Sequence, residues 1–239
     1  MIDYHCHLLP GLDDGSNTTE ESISMARLLV KAGYSTVYCT PHLIKHLFEP
    51  TNDTVREAIN ALQLELDREN IALKLLGGRE YYLDSYFNEY INDLMPLDNT
   101  RYLLIEIPAH TYPGMVRDTF SEIIRKGLIP LVAHPERCYL FHEQQNDAKQ
   151  KIRSRFFNLI SKDDPVIDLE ITFKQRDQDL LNWLIANNCG FQCNLPSLNG
   201  AYGELVKATA EDFIKLDIYT HKGTDAHSIK CLEKLFYSN

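Results

Sequence analysis

Parallel β-strands joined by crossover helices, in a barrel-like or doubly wound arrangement, are the fold class that three observations predict. Segments rich in β-branched and aromatic residues alternate with segments of helical apolar spacing along the whole chain. No Pro/Gly/Ser-rich linker and no internal repeat interrupts that alternation. The 239 residues suit one α/β barrel or sheet, which commonly runs to roughly 250 residues, so a single domain over 1–239 is expected.

The elements follow in order. Ile2 to Cys6 reads as a strand. Thr18 with Glu21 forms a capping box, and Ile23, Ala26 and Val30 follow at helical spacing until Gly33, which predicts a helix over roughly 19–32. Ser35 to Thr40 is a strand ended by Pro41, leaving His42 just past its C-terminal end. Val55, Ile59, Leu62 and Leu66 mark a helix opened near Thr51 or Asn52. Ala72 to Leu76 reads as a strand closed by Gly77 and Gly78. A helix over Tyr86 to Met95, a strand over Tyr102 to Glu106, a helix over Gly114 to Gly127 and a strand over Ile129 to His134 continue the beat. Ala148 to Ile160 is predicted helical, Val166 to Ile171 a strand, Asp179 to Ala186 a helix and Phe191 to Leu195 a strand. Ala210 to Leu216 reads as helix, Ile218 to Thr220 as a short strand, and Ile229 to Phe236 as a closing helix.

Composition narrows the function. Apolar residues make up 44% of the chain, ordinary for a globular protein, and no window approaches the roughly 20 apolar residues of a membrane span. Met1 leads into the first strand without a basic n-region or cleavage site, so a cytoplasmic protein is expected. The 6 cysteines (Cys6, Cys39, Cys138, Cys189, Cys193, Cys231) are scattered without a C-x-x-C pair and are expected to be reduced, mostly buried thiols. A net charge of −10 and the lack of a basic run argue against nucleic acid as a partner. Divalent ions among the carboxylates would reverse the field locally and admit an anionic substrate.

The chemistry is expected where the strands end. In β structure the period of two places His5 and His7 on one side, so two imidazoles leave one strand end toward one point. Asp14, His42, Glu80, Glu106, His134, Asp225 and His227 arrive at the same end of successive elements. Singly, each has a plain alternative: Asp14 could cap a turn, Glu80 and Glu106 could be surface carboxylates, and His134 could be a loop imidazole before Pro135. Their repetition at one face fits a mixed imidazole and carboxylate site holding more than one cation. Glu170, His46, His110, His142 and His221 are expected to be structural or surface residues. No cysteine is followed by an arginine six positions on, which excludes a cysteine-phosphatase loop, and no Gly-rich phosphate loop is present.

Six motifs span almost the whole chain: D-Y-H-C-H-L-L-P-G-L-D-D-G (3–15), T-P-H (40–42), G-R-E (78–80), I-E (105–106), A-H-P-E-R (133–137) and T-D-A-H (224–227). On these the sequence resembles the polymerase-and-histidinol-phosphatase (PHP) superfamily and, within it, the bacterial manganese-dependent tyrosine phosphatases of capsule and exopolysaccharide systems. The resemblance implies a distorted (β/α)7 TIM-like barrel with two or three metal ions at the C-terminal strand ends, manganese first, iron and zinc as alternatives. It implies that His5, His7, Glu80 and Asp225 hold one ion and that Glu80 bridges to a second held with Glu106 and His134. Asp14, His42 and His227 then hold the third. Between Asn194 and Gly203, and over Tyr219 to Thr224, the chain departs from the family pattern.

The expected reaction is metal-assisted hydrolysis of a phosphate monoester, with phosphotyrosine on a protein as substrate and a bacterial tyrosine kinase as partner, the protein alone or as an oligomer. Asp14 and His42 are expected to act at the reacting centre with the metals, and Arg137, planar and always charged, to bind phosphoryl oxygens. Rival readings are a small-molecule phosphomonoesterase such as histidinol phosphatase, metal-dependent amide hydrolysis, and a non-catalytic metal-binding regulator.

Overall fold

The computed structural model describes residues 1–109, 111–142 and 180–237. The helix expected over Ala148 to Ile160, the strand expected over Val166 to Ile171, Asp179, Glu170 and His110 lie outside them. The described chain runs β1 (Ile2–Cys6), α1 (Thr19–Lys31), β2 (Thr36–Cys39), β3 (His42–Leu43), α2 (Asn52–Arg68), β4 (Lys74–Gly77), β5 (Glu80–Tyr82), α3 (Phe87–Tyr90), β6 (Tyr102–Glu106), α4 (Pro113–Arg125) and β7 (Ile129–Ala133). After helical residues 180–186 come β8 (Gly190–Asn194), α5 (Leu195–Leu198), α6 (Glu204–Lys215), β9 (His221–Gly223) and α7 (Ile229–Phe236).

Every pairing is parallel, in the orders β1-β2-β4 and β3-β5-β6-β7-β8-β9. β2 leads into β3 through Thr40 and Pro41, and β4 into β5 through Gly78 and Arg79, so each pair is one broken stave. The sheet then returns to its start, because Cys6 bridges Ala226 and the Asp225 N–H donates to the His5 carbonyl at 2.7 Å. The result is a distorted (β/α)7 barrel.

The helices begin where local chemistry dictates. Thr18 accepts the Glu21 N–H at 3.2 Å, and Glu21 reaches back to the Asn17 N–H at 3.0 Å, one residue earlier than a standard capping box. Thr51 and Ser228 cap α2 and α7 in the same way. α1, α2 and α7 bury Met25, Leu29, Val55, Leu62 and Leu232 against the outer face of β1, β2 and β4. A second outer cluster joins Leu103, Ile105 and Val132 to Val116, Phe120 and Ile123 of α4. The alternate positions Leu104, Leu131 and Ala133 face inward with Tyr38 and Leu97, so the barrel is filled below the level of Glu106 and His134. Among the described residues no helix is long and apolar enough to cross a membrane.

Four expectations are corrected by tertiary contacts. The helix expected over Tyr86 to Met95 is only Phe87–Tyr90. Asn52 Nδ2 donates to the Asp93 carbonyl at 2.7 Å and the Met95 N–H goes to Tyr81 Oη at 2.8 Å, so side chains replace the helical hydrogen bonds. Gly77 does close its strand, as its last residue paired opposite Cys39, and a Cβ there would meet Met95 Cε at 2.7 Å. The last stave is His221–Gly223, not Ile218 to Thr220: the Ile218 N–H returns to Phe213 O at 3.1 Å to close α6. Gly223 must be glycine where a Cβ would lie 2.6 Å from that of His5. Finally, α6 starts at Glu204, earlier than expected, and His42 opens β3 opposite Glu80 where a loop position was expected.

Candidate metal centre

Eight of the nine expected ligand residues gather near the C-terminal ends of the staves in three groups of close ligand atoms, and His134 stands outside these groups but beside Glu80. In the deepest, His5 Nε2 lies 3.0 Å from Glu80 Oε2 and 3.3 Å from Asp225 Oδ1. His7 Nε2 lies 3.2 Å and 3.4 Å from the same oxygens, and 3.1 Å from His5 Nε2. All four residues are essentially sealed from solvent. Ligand atoms about 2.1 Å from one ion stand roughly 3.0 Å apart at octahedral edges and 3.4 Å at tetrahedral ones, so this quartet fits a first-row divalent ion.

Glu80 stands at the hub. Besides His5 and His7, its Oε1 lies 2.9 Å from His134 Nε2 and its Oε2 lies 3.2 Å from His42 Nδ1. His42 Nδ1 is buried yet makes no hydrogen bond of good geometry, a ring nitrogen left for another partner. Glu106 closes the second group, its ligand oxygen within 4.8 Å of those of Glu80 and His42. The resemblance pairs Glu106 with His134; in the structure both border Glu80, and His42 stands between this group and the next. At the mouth, Asp14 Oδ1 lies 3.7 Å from His42 Nε2 and 3.5 Å from His227 Nε2, with the His7 and His227 rings stacked at 3.8 Å.

The surrounding chain holds these side chains in place. Asp225 (φ 50) and His134 (φ 30) both sit in left-handed backbone, a strained choice for residues with a Cβ that turns each side chain into the site. Asp13 Oδ2 lies 2.6 Å from His7 Nδ1 and Gln192 Oε1 lies 2.9 Å from His5 Nδ1, so each ring is oriented with Nε2 toward the cluster. Gln192 also accepts the His134 N–H at 3.1 Å, and Asn194 Nδ2 donates to Asp225 Oδ2 at 3.1 Å. Asp3 accepts the His5 N–H and both the N–H and hydroxyl of Thr224, locking β1 to β9. None of these four residues was singled out from the sequence. The available signals were the first carboxylate of the D-D-G run and two polar residues alternating with Phe191 and Cys193 on an apolar strand.

Charge in the centre is tightly coupled. Burial opposes charge on His5, yet the Glu80 and Asp225 carboxylates hold its pKa up at about 9. Burial raises Glu106 to about 8, aided by the neighbouring Glu80 carboxylate, while burial and the Arg137 charge lower His134 to about 4. The imidazoles of His5 and His42 hold Glu80 well below the carboxylate range against its burial. Arg137 Nη1 lies 2.7 Å from Asp225 Oδ2, with its guanidinium 4.6 Å from the Tyr202 ring centre. Glu136 instead binds the Asn194 N–H at 3.0 Å and the Tyr219 hydroxyl at 2.8 Å, so neither it nor Glu106 is the salt-bridge partner of Arg137. His46, His142 and His221 lie outside the three ligand groups.

No disulfide joins the six cysteines, and burial raises Cys39, Cys189 and Cys193, the last two to about 12.

The chain is similar to known proteins in sequence and in fold. The family described as capsular polysaccharide synthesis, CpsB/CapC, matches residues 1–156. The chain is 30% identical over 232 residues to the tyrosine-protein phosphatase YwqE of Bacillus subtilis, covering 96% of this chain and 78% of that one. A solved structure from work on YwqE of Bacillus subtilis and CpsB of Streptococcus pneumoniae, described as unique metal-dependent tyrosine phosphatases, superposes with a TM-score of 0.74 at 29% identity, covering 100% of this chain and 89% of that one. Histidinol phosphate phosphatase of Lactococcus lactis, solved with zinc, L-histidinol and phosphate, shares the fold at a TM-score of 0.53 and 14% identity, over 98% of this chain and 90% of that one.

Proposed function

The chain belongs to the CpsB/CapC capsular polysaccharide synthesis family, and from that premise we propose that it is a metal-dependent phosphatase acting on phosphotyrosine in proteins of capsule or exopolysaccharide regulation. The observation that carries this reading is the convergence of His5, His7, Glu80 and Asp225 on one point, with Arg137 anchored to the outer oxygen of the same Asp225.

His5, His7, Glu80 and Asp225 would hold one ion, Glu80 with Glu106 and His134 a second, and Asp14, His42 and His227 a third at the mouth. When bound, the ions supply Lewis acidity that stabilises charge on the phosphoryl group and lowers the pKa of the attacking water. Asp14 is the most solvent-accessible ligand of the mouth group and lies 3.7 Å from His42, so these two would meet an incoming phosphoryl group first. Arg137 spends one of its donors on Asp225 and keeps the rest of its planar fork for phosphoryl oxygens. The phenolate of tyrosine, with a conjugate-acid pKa of about 10, leaves without strong acid assistance, which suits a site with no dedicated proton donor assigned.

Manganese is the ion we favour, since the imidazole-rich donor set prefers transition metals over magnesium. A bacterial tyrosine kinase is the partner we favour. Action in the cytoplasm is the reading we favour, since cysteines not joined in disulfides suit a reducing compartment.

Purified protein assayed with manganese on a phosphotyrosyl peptide, an aryl phosphate and L-histidinol phosphate tests the proposal. The two aryl esters should be hydrolysed with much the higher kcat/KM. A strong preference for L-histidinol phosphate would replace this reading with a small-molecule phosphatase.

A further inference from the structure

Arg137 occupies an awkward position for a substrate-binding cation. It borders a centre built to hold several divalent ions, whose charge would drive a guanidinium outward into water. Its ionic anchor, Asp225, has its other oxygen directed at His5 and His7, so a bound ion would draw charge away from the carboxylate and weaken its hold on the arginine. Arg137 therefore needs a second hold that metal loading does not weaken.

Tyr202 has the chemistry and the place for it. Its ring lies 4.6 Å from the Arg137 guanidinium carbon, within the range of a cation–π contact. The residue stands on a short connection between α5 and α6 that is tied by its own backbone. The Gly200 N–H donates to Ser197 O, the Ala201 N–H to Pro196 O and the Gly203 N–H to Gly200 O, each at 3.1 Å. Gly200 and Gly203 supply the positive φ values of 75° and 92° that the tight turn requires. A ring on so constrained a loop offers a fixed surface beside Arg137, with 41% of Tyr202 exposed.

We propose that Tyr202 is a positioning residue for Arg137, holding the guanidinium over its ring so that the free edge of the fork faces the phosphoryl group in the metal-loaded protein. The proposal rests on the phosphatase reading above. An arginine already oriented loses less conformational freedom when substrate arrives, so the contribution of Tyr202 falls mainly on binding and therefore on KM.

The test uses the full manganese-loaded chain and two variants: Tyr202→Leu, which keeps apolar bulk without a π face, and Tyr202→Phe, which keeps the ring. The affinity for inorganic phosphate, by calorimetry, and KM and kcat for a phosphotyrosyl peptide are measured beside metal content. Tyr202→Leu should weaken phosphate binding and raise KM by roughly 3- to 30-fold, with a smaller change in kcat and full metal content. Tyr202→Phe should recover most of that loss. In an Arg137→Ala background Tyr202→Leu should add nothing, since the group it positions is gone. Equal damage from Phe and Leu, an undiminished effect without Arg137, or no effect at all would each overturn the proposal. A wild-type protein that binds phosphate but does not hydrolyse the peptide would refute the phosphatase reading alone, because the phosphate affinities still decide the role of Tyr202.

Discussion

Asp13 Oδ2 accepts a 2.6 Å hydrogen bond from Nδ1 of His7, and the same oxygen takes the backbone N–H of His42 at 2.9 Å. One carboxylate thus aims a ring of the deep group and fixes the strand that carries a ring of the mouth group. The His7 charge holds Asp13 near a pKa of about 2 against its burial, so it stays ionised throughout the neutral range. Asp13→Ala should lower metal affinity by roughly 10- to 100-fold while the fold persists, as loss of an orienting partner does in other metal sites. Competition with a chelator of known affinity measures it, and an unchanged affinity would remove Asp13 from the centre.

Glu80 and His42 should differ in kind. Glu80 lies within 3.2 Å of ring nitrogens of His5, His7, His42 and His134, so Glu80→Ala should empty both of the groups it joins. His42→Ala leaves the His5, His7, Glu80 and Asp225 quartet intact and should retain that ion. Metal content per chain by elemental analysis separates the two, and a full complement in Glu80→Ala would refute its bridging role.

Arg79 makes a structural prediction next door. Its guanidinium, 1% exposed, donates to Pro50 O at 2.6 Å, Asn52 Oδ1 at 3.2 Å and His42 O at 3.3 Å, tying the segment after β3 to the stave that carries Glu80. Arg79→Ala leaves those acceptors unpaired beside a cavity and should cost about 3–5 kcal/mol in denaturant unfolding. A loss below about 1 kcal/mol would contradict this account of a buried cation.

Much of this architecture is legible in the residues. The alternation of strands and helices and the arrival of His5, His7, His42, Glu80, Glu106, His134, Asp225 and His227 at strand ends need only periodicity and turn chemistry. What local pattern misses is set by distant groups. The helix after Tyr86 stops because Asn52 and Tyr81 take its backbone partners. Asp3, Gln192 and Asn194 look like ordinary polar residues because their role is to bind other side chains across the barrel, which no spacing rule encodes.

The coupling of protons to metal gives a pH prediction with a definite sign. Without metal, burial disfavours charge on His5 and His7, but surrounding carboxylates outweigh it. They hold His5 up at about 9 and raise His7 well above its ordinary value. Ligation requires the neutral ring, so binding must release protons and affinity must rise as pH climbs toward about 9. Calorimetry in buffers of different ionisation enthalpy reports the protons released. An affinity that is flat between about pH 6.5 and about pH 8.5 would contradict the proposed ligand roles of these rings.

The central claim is that the imidazole and carboxylate cluster holds the ions that drive phosphomonoester hydrolysis. It is tested most directly by titrating manganese into chelator-stripped protein while following phosphotyrosyl peptide turnover and bound metal in the same samples. Turnover should be absent in the stripped protein, rise in step with occupancy, recover less with magnesium, and stay near background in His5→Ala at any manganese concentration that the wild type saturates. Undiminished turnover by protein shown by elemental analysis to be free of metal would contradict the account.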